Sequence, residues 1–190
     1  MEVVKLLLER GEVNPDKAET EGQAPLWCAA YNGHVEVVKM LLERDEVNPN
    51  KAHDDGRTPL CCTAYNGHEE VVKMLLERRE VNPDKPAQEG LTPLLGATFN
   101  GHERVVQMLL ERDEVNPNKP YNDGRTPLHC AAENGHEGVV EILLQKDEVN
   151  PEKPDKDGRT PLLLAACNGH GGVMKVLLEL GKVNPEMSDH

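Results

Sequence analysis

Apolar and polar positions follow one another along this chain in a fixed order. Between Asp123 and Lys156 the order opens with Gly124, Thr126 and Pro127, passes through Leu128, His129, Cys130, Ala131 and Ala132, and breaks at Asn134-Gly135. This predicts a short helix: the Thr126 hydroxyl caps its start, Pro127 sits where a missing N–H costs nothing, and glycine ends it. Its small side chains allow a neighbouring helix to approach closely. Glu137 opens a second helix with an acidic group suited to the helix dipole. Val139, Val140, Ile142, Leu143 and Leu144 leave little of that helix polar, which predicts burial from two sides. Asp147 to Pro151 ends it, because proline cannot donate to a ladder and pushes the preceding residue out of helical dihedrals. Glu152-Lys153-Pro154-Asp155-Lys156 reads as an extended, exposed finger.

The same order returns at a 34-residue step. Val-Asn-Pro occurs at Val13, Val47, Val81, Val115, Val149 and Val183; Gly22, Gly56, Gly90, Gly124 and Gly158 keep the step, as does Asn-Gly-His from Asn32 to Asn168. A unit of this size cannot bury its own apolar face, so it must stack on its neighbours into an elongated solenoid. The expected division is a half repeat over 1–20 and full repeats over 21–54, 55–88, 89–122, 123–156 and 157–190, all in one solenoid. At the start, Val3, Val4, Leu6, Leu7 and Leu8 have no upstream neighbour; at the end, Leu180 stands where other copies place Arg44, Arg78, Arg112 or Lys146. The expectation is a piece of a longer array whose first helix frays or docks. The chain is expected to be a monomer, with end-to-end association through the uncapped repeats as the alternative.

Thr126-Pro127-Leu128-His129-Cys130-Ala131 fits the T-P-L-H-x-A signature, and Asn134-Gly135-His136 leads into a Val-Val…Leu-Leu helix. In these motifs the whole chain resembles the ankyrin-repeat family. Departures are Ala24 in place of the capping threonine, Gly96 inside the third short helix, a step longer than the family's usual ~33 residues, and Arg-Asp-Glu before Val115-Asn116. The copies with Ala24 and Gly96 are expected to be locally weaker. The near-identity of the copies also resembles the long ankyrin arrays of fungal intracellular receptors. The resemblance implies an all-α solenoid of helix-turn-helix units with finger loops, which recognises proteins through its concave face.

Charge narrows the partners. Lys plus Arg number 21 against 34 Asp plus Glu, a formal net charge of −13, which opposes nucleic-acid phosphates and anionic membranes. No apolar run approaches the roughly 20 residues that cross a bilayer, and the first residues lack a signal peptide's layout. A cytoplasmic, intracellular protein is expected. Five cysteines without CxxC spacing suggest neither a disulfide framework nor a zinc site. Cys28, Cys62 and Cys130 share one repeat position and are expected to be small buried residues, whereas Cys61 and Cys167 fall elsewhere. His34, His68, His102, His136 and His170 recur identically, which fits a hydrogen bond tying the inter-helix turn better than a site of unlike groups converging once. Catalytic motifs are absent from the sequence. No enzyme activity, cofactor or metal is expected.

The aromatic residues are few and placed. Tyr31, Tyr65 and Phe99 occupy one site in three successive repeats, where the next two copies hold Glu133 and Cys167. With helices roughly 8–10 Å apart, the rings are expected to form a spaced row on the concave side. One reading makes them anchors for a protein or peptide partner, since rigid rings bind at low entropic cost; the other packs them between short helices. Trp27, at the position of His129, fits a structural role at least as well as a contact, and Tyr121 is expected to be exposed on its finger. Lys17, Lys51, Lys85, Lys119 and Lys153 form a basic ladder, and Arg57, Arg125 and Arg159 another, each beside acidic residues with which pairing is expected. The expected partner surface is the concave face with the finger tips, and the partner-binding set is thus Tyr31, Tyr65 and Phe99, flanked by Arg57 and Tyr121, with Trp27 secondary. A spacer or regulatory arm of a larger receptor, without a ligand of its own, is the second reading.

Overall fold

The computed structural model describes residues 14–19 and 22–180. The helix expected in the first repeat, its fraying, and Val183-Asn184-Pro185 lie outside the described residues. Five inner helices, α1 (Pro25–Tyr31), α3 (Pro59–Asn66), α5 (Pro93–Phe99), α7 (Pro127–Glu133) and α9 (Pro161–Cys167), alternate with outer helices α2 (Val35–Leu42), α4 (Glu69–Leu76), α6 (Glu103–Leu110), α8 (Glu137–Leu144) and α10 (Gly171–Leu180). The result is an all-helical solenoid: inner helices stack on inner, outer on outer.

Each inner helix begins as its residues dictate. The hydroxyls of Thr58, Thr92 and Thr160 accept from the amides of Cys61, Leu95 and Leu163 at 3.1, 3.2 and 3.3 Å. Ala24 offers no such acceptor, so α1 starts on Pro25 alone. Gly96, expected to weaken α5, leaves that helix unbroken. It serves close approach instead, because a Cβ there would lie 3.3 Å from the Tyr65 Cβ. The core is a continuous aliphatic spine in which Val38, Val72, Val106, Val140 and Leu177 have no more than traces of exposure.

The repeated histidines correct the sequence reading. His68, His102, His136 and His170 each place Nε2 3.0 Å from a backbone carbonyl of the preceding repeat, those of Tyr31, Tyr65, Phe99 and Glu133. A carbonyl only accepts, so Nε2 carries the proton and donates. The bond joins repeats; it does not tie the histidine's own turn. Gly67 at the turn has φ 74°, and a Cβ there would also meet the His102 ring at 2.6 Å. Left-handed backbone and ring clearance both require glycine at this place.

The fingers are likewise more ordered than extended loops. Val47, Val81, Val115 and Val149 are buried, and the asparagine after each turns the chain by accepting an amide two residues on, as Asn48 does from Asn50 at 2.9 Å. The tips 53–57, 87–91, 121–125 and 155–159 close by amide-to-carbonyl bonds, His53 to Arg57 at 3.0 Å and Tyr121 to Arg125 at 2.9 Å among them. Successive tips join edge to edge: Gln88 donates to the Asp55 carbonyl at 3.0 Å, Asn122 to Glu89 at 2.8 Å and Lys156 to Asp123 at 3.0 Å. Two of the ladder lysines reach back one repeat, Lys51 to the Asp16 carboxylate at 3.2 Å and Lys119 to Asp84 at 2.8 Å.

Candidate functional site

The residue before the asparagine at the end of each inner helix is, in order, Tyr31, Tyr65, Phe99, Glu133 and Cys167. In four of the five pairs an Asn-Gly turn follows directly; in α3 the asparagine belongs to the helix. The next repeat's histidine, as described, fixes the carbonyl of each of the first four of these residues. The backbone of the row is therefore fixed by the neighbouring repeat. Tyr31 and Phe99 are exposed, at 41% and 36%, while Tyr65 is half-buried over Gly96.

The rings do not form the evenly spaced row expected. Tyr65 and Phe99 stack on one another, centroids 6.5 Å apart and planes 15° from parallel. Tyr31 instead stacks on Trp27 of its own helix at 5.2 Å, and Trp27 stacks on His53 at 4.8 Å. The difference has a physical cause. Gly96 lets Tyr65 settle toward Phe99, whereas Trp27 offers Tyr31 a larger flat surface one helical turn away.

Trp27 itself is buried, at 7% exposure, and its Nε1 donates to the Arg57 carbonyl at 2.9 Å. His129 in the same repeat position makes the equivalent bond to Arg159 at 3.1 Å. Both side chains present a ring N–H at the place where the next finger closes, a signal readable from the aligned copies. Trp27 thus underlies the site as a support. Tyr121, expected to be exposed, is half-buried: burial pushes its phenol above the ordinary value, and the nearby Cys130 and Cys61 thiols push the same way. The Arg125 guanidinium lies 5.8 Å from its ring centre.

The flanking arginines are engaged. Arg57 donates to Asp55 at 2.7 Å, and that bond raises its guanidinium further. Arg125 holds Asp123 at 2.7 Å and reaches along the helix to Glu133 at 2.6 Å. Arg159 bonds Asp155 at 2.9 Å and Asp157 at 2.8 Å. The expected pairing of the ladder is what these contacts show.

The buried thiols of Cys61, Cys62 and Cys130 have little nucleophilic character. Burial pushes Cys61 and Cys130 up to about 12, and Cys62 higher still. Cys61 is buried and Cys167 exposed, while Cys28, expected to be buried, is only half-buried. Among the described residues there is no cluster of three or more His, Cys, Asp or Glu side chains suited to a metal ion, and no helix long and apolar enough to cross a membrane. What this row offers is two exposed rings, Tyr31 and Phe99, with ion-paired arginines on the finger tips.

A family model for ankyrin repeats matches the chain three times, over residues 1–52, 45–121 and 113–189. No curated protein matches it.

Proposed function

Because the chain belongs to the ankyrin-repeat family, whose members generally serve protein–protein interaction and are typically not enzymes, we propose that it is a noncovalent recognition module reading a protein or peptide partner through its concave face. The observation that carries this reading is the pair of exposed rings, Tyr31 and Phe99, each backed by a second aromatic ring. Rings held from behind lose little further freedom on binding, so their apolar area is available to a partner at low entropic cost. Tyr65, half-buried in the stack, contributes as the backing of Phe99.

The test compares capture from a native extract by the unaltered chain, by a Tyr31→Ala, Phe99→Ala double variant, and by an outer-helix control, Lys39→Ala with Glu43→Ala. An anchor contributes about 2 kcal/mol or more to an interface, so the double variant should lose the captured proteins that the control retains, with its melting temperature little changed. Capture of the same proteins by both variants sinks the reading and favours a spacer or regulatory arm.

A further inference from the structure

We propose, resting on the concave face being the partner surface, that this face receives an extended basic segment: an aromatic or aliphatic side chain lies against Tyr65 and Phe99, and a neighbouring lysine or arginine meets Glu89. Of the four finger tips that lie wholly among the described residues, three end in an arginine, Arg57, Arg125 or Arg159, and each is held by a carboxylate of its own tip. The tip before α5 ends in Leu91 instead. Its acidic residue, Glu89, is exposed, and no cation lies within ion-pair distance of it among the described residues.

That tip runs directly into the inner helix that carries Phe99, and its Leu91 carbonyl lies 3.9 Å from the Cys61 Sγ of the helix that carries Tyr65. The Arg125–Glu133 contact places the last residue of a tip over the last residue of its inner helix; Leu91 and Phe99 hold the same two places one repeat earlier. By the register of the repeats the exposed ring is bordered by Leu91, and the same tip carries an unneutralised anion. A neutral partner covering this corner would strip water from the Glu89 carboxylate without replacing its interactions, and an acidic one would add repulsion. A cation satisfies the carboxylate and is tolerated over an aromatic face. Across the four tips the carboxylates outnumber the cations, and the chain's net charge of −13 draws basic partners toward it from a distance.

The experiment selects random short peptides on the unaltered chain by display, then measures synthetic versions of the enriched ones against the unaltered chain, Glu89→Gln, Tyr31→Ala and Phe99→Ala at low and high salt. The expected peptides combine lysine or arginine with an aromatic or aliphatic residue. Glu89→Gln should weaken them about three- to tenfold and flatten the salt dependence, and Phe99→Ala should weaken them more than about tenfold. Enriched peptides that are acidic or uncharged, peptides indifferent to Glu89→Gln, or no enrichment at all overturn the proposal. Loss of those same peptides with Phe99→Ala would still leave the concave-face reading standing. Peptides indifferent to both Tyr31→Ala and Phe99→Ala would remove that reading itself.

Discussion

At the scale of single residues, His129 shows how a polar group is accommodated at full burial. Its Nδ1 accepts from the Thr126 amide at 3.2 Å and lies 2.8 Å from the Thr126 hydroxyl, while Nε2 donates to the Arg159 carbonyl at 3.1 Å. Only the neutral ring with its proton on Nε2 satisfies all three partners. Burial pushes the imidazole below its ordinary 6.5, the Arg159 carbonyl pulling the other way with smaller effect. Because the folded value is the lower one, the unfolded chain takes up the proton first as pH falls. His129 therefore supports the fold fully above about pH 6.5, and its contribution shrinks as pH falls from there through the folded value. His129→Leu, which puts in place the residue that Leu95 and Leu163 already supply at this position, should flatten that part of the stability profile. At pH 8 the variant should be less stable by about 0.5–1.5 kcal/mol, since the Arg159 carbonyl loses the ring N–H and keeps only the Asp155 amide. Denaturant melts of both proteins from pH 8 to 5 check this; parallel profiles would contradict it. Glu89 is the other unusual residue, the one non-glycine with positive φ among the described residues, at 59°. Left-handed backbone costs a residue with a Cβ about 1–2 kcal/mol, offset in part where Asn122 donates to its carbonyl.

Among elements, the outer helices are finished by side chains from the next repeat. Arg112 Nη1 donates to the Leu76 carbonyl at 3.0 Å and Lys146 Nζ to the Leu110 carbonyl at 2.8 Å. Those carbonyls belong to the orphaned last turns of α4 and α6, where a cation also suits the helix dipole. Leu180 occupies the equivalent place after α8, and with 56% of its surface exposed it offers the Leu144 carbonyl nothing. Leu180→Arg should therefore stabilise the chain by about 0.5–1.5 kcal/mol, and Lys146→Met should destabilise it by a similar amount. Chemical denaturation measures both, and an unchanged midpoint in each would show that these contacts are solvent-exchanged ornaments. The break in the basic column at Leu180 is visible in the sequence, but its meaning is not, because each cation serves a carbonyl in a different repeat. The same limit explains the histidines: the spacing of His102 shows a structural group, while its acceptor, Tyr65, lies in the preceding copy. Helix caps such as Thr58 and Thr92 were legible because donor and acceptor sit three residues apart.

For the whole molecule, the period alone dictates a solenoid, and the aligned differences between copies point to Tyr31, Tyr65 and Phe99. What the period leaves open is how neighbouring rings settle, since that depends on Gly96 and Trp27, which depart from the other copies beside the rings. It also leaves open how strongly the copies are coupled, and this decides whether the array behaves as one body. Coupling between the second and third repeats runs through the spine and the Tyr65 carbonyl, which accepts from His102 at 3.0 Å and from Asn100 at 3.1 Å. In a stack whose stability is a sum of unit and nearest-neighbour terms, cooperativity is lost first where a neighbour term is weakened. Removing both donors with His102→Ala and Asn100→Ala costs about 1–3 kcal/mol at that single interface. Urea unfolding should then broaden into a shallower or two-step transition as the flanking blocks melt separately. Thr92→Ala, which costs about 1 kcal/mol within one repeat, should lower the midpoint and leave the slope unchanged. If both variants keep a single transition of unaltered slope, the interface at Tyr65 is not where cooperativity is set, and the spine alone carries it.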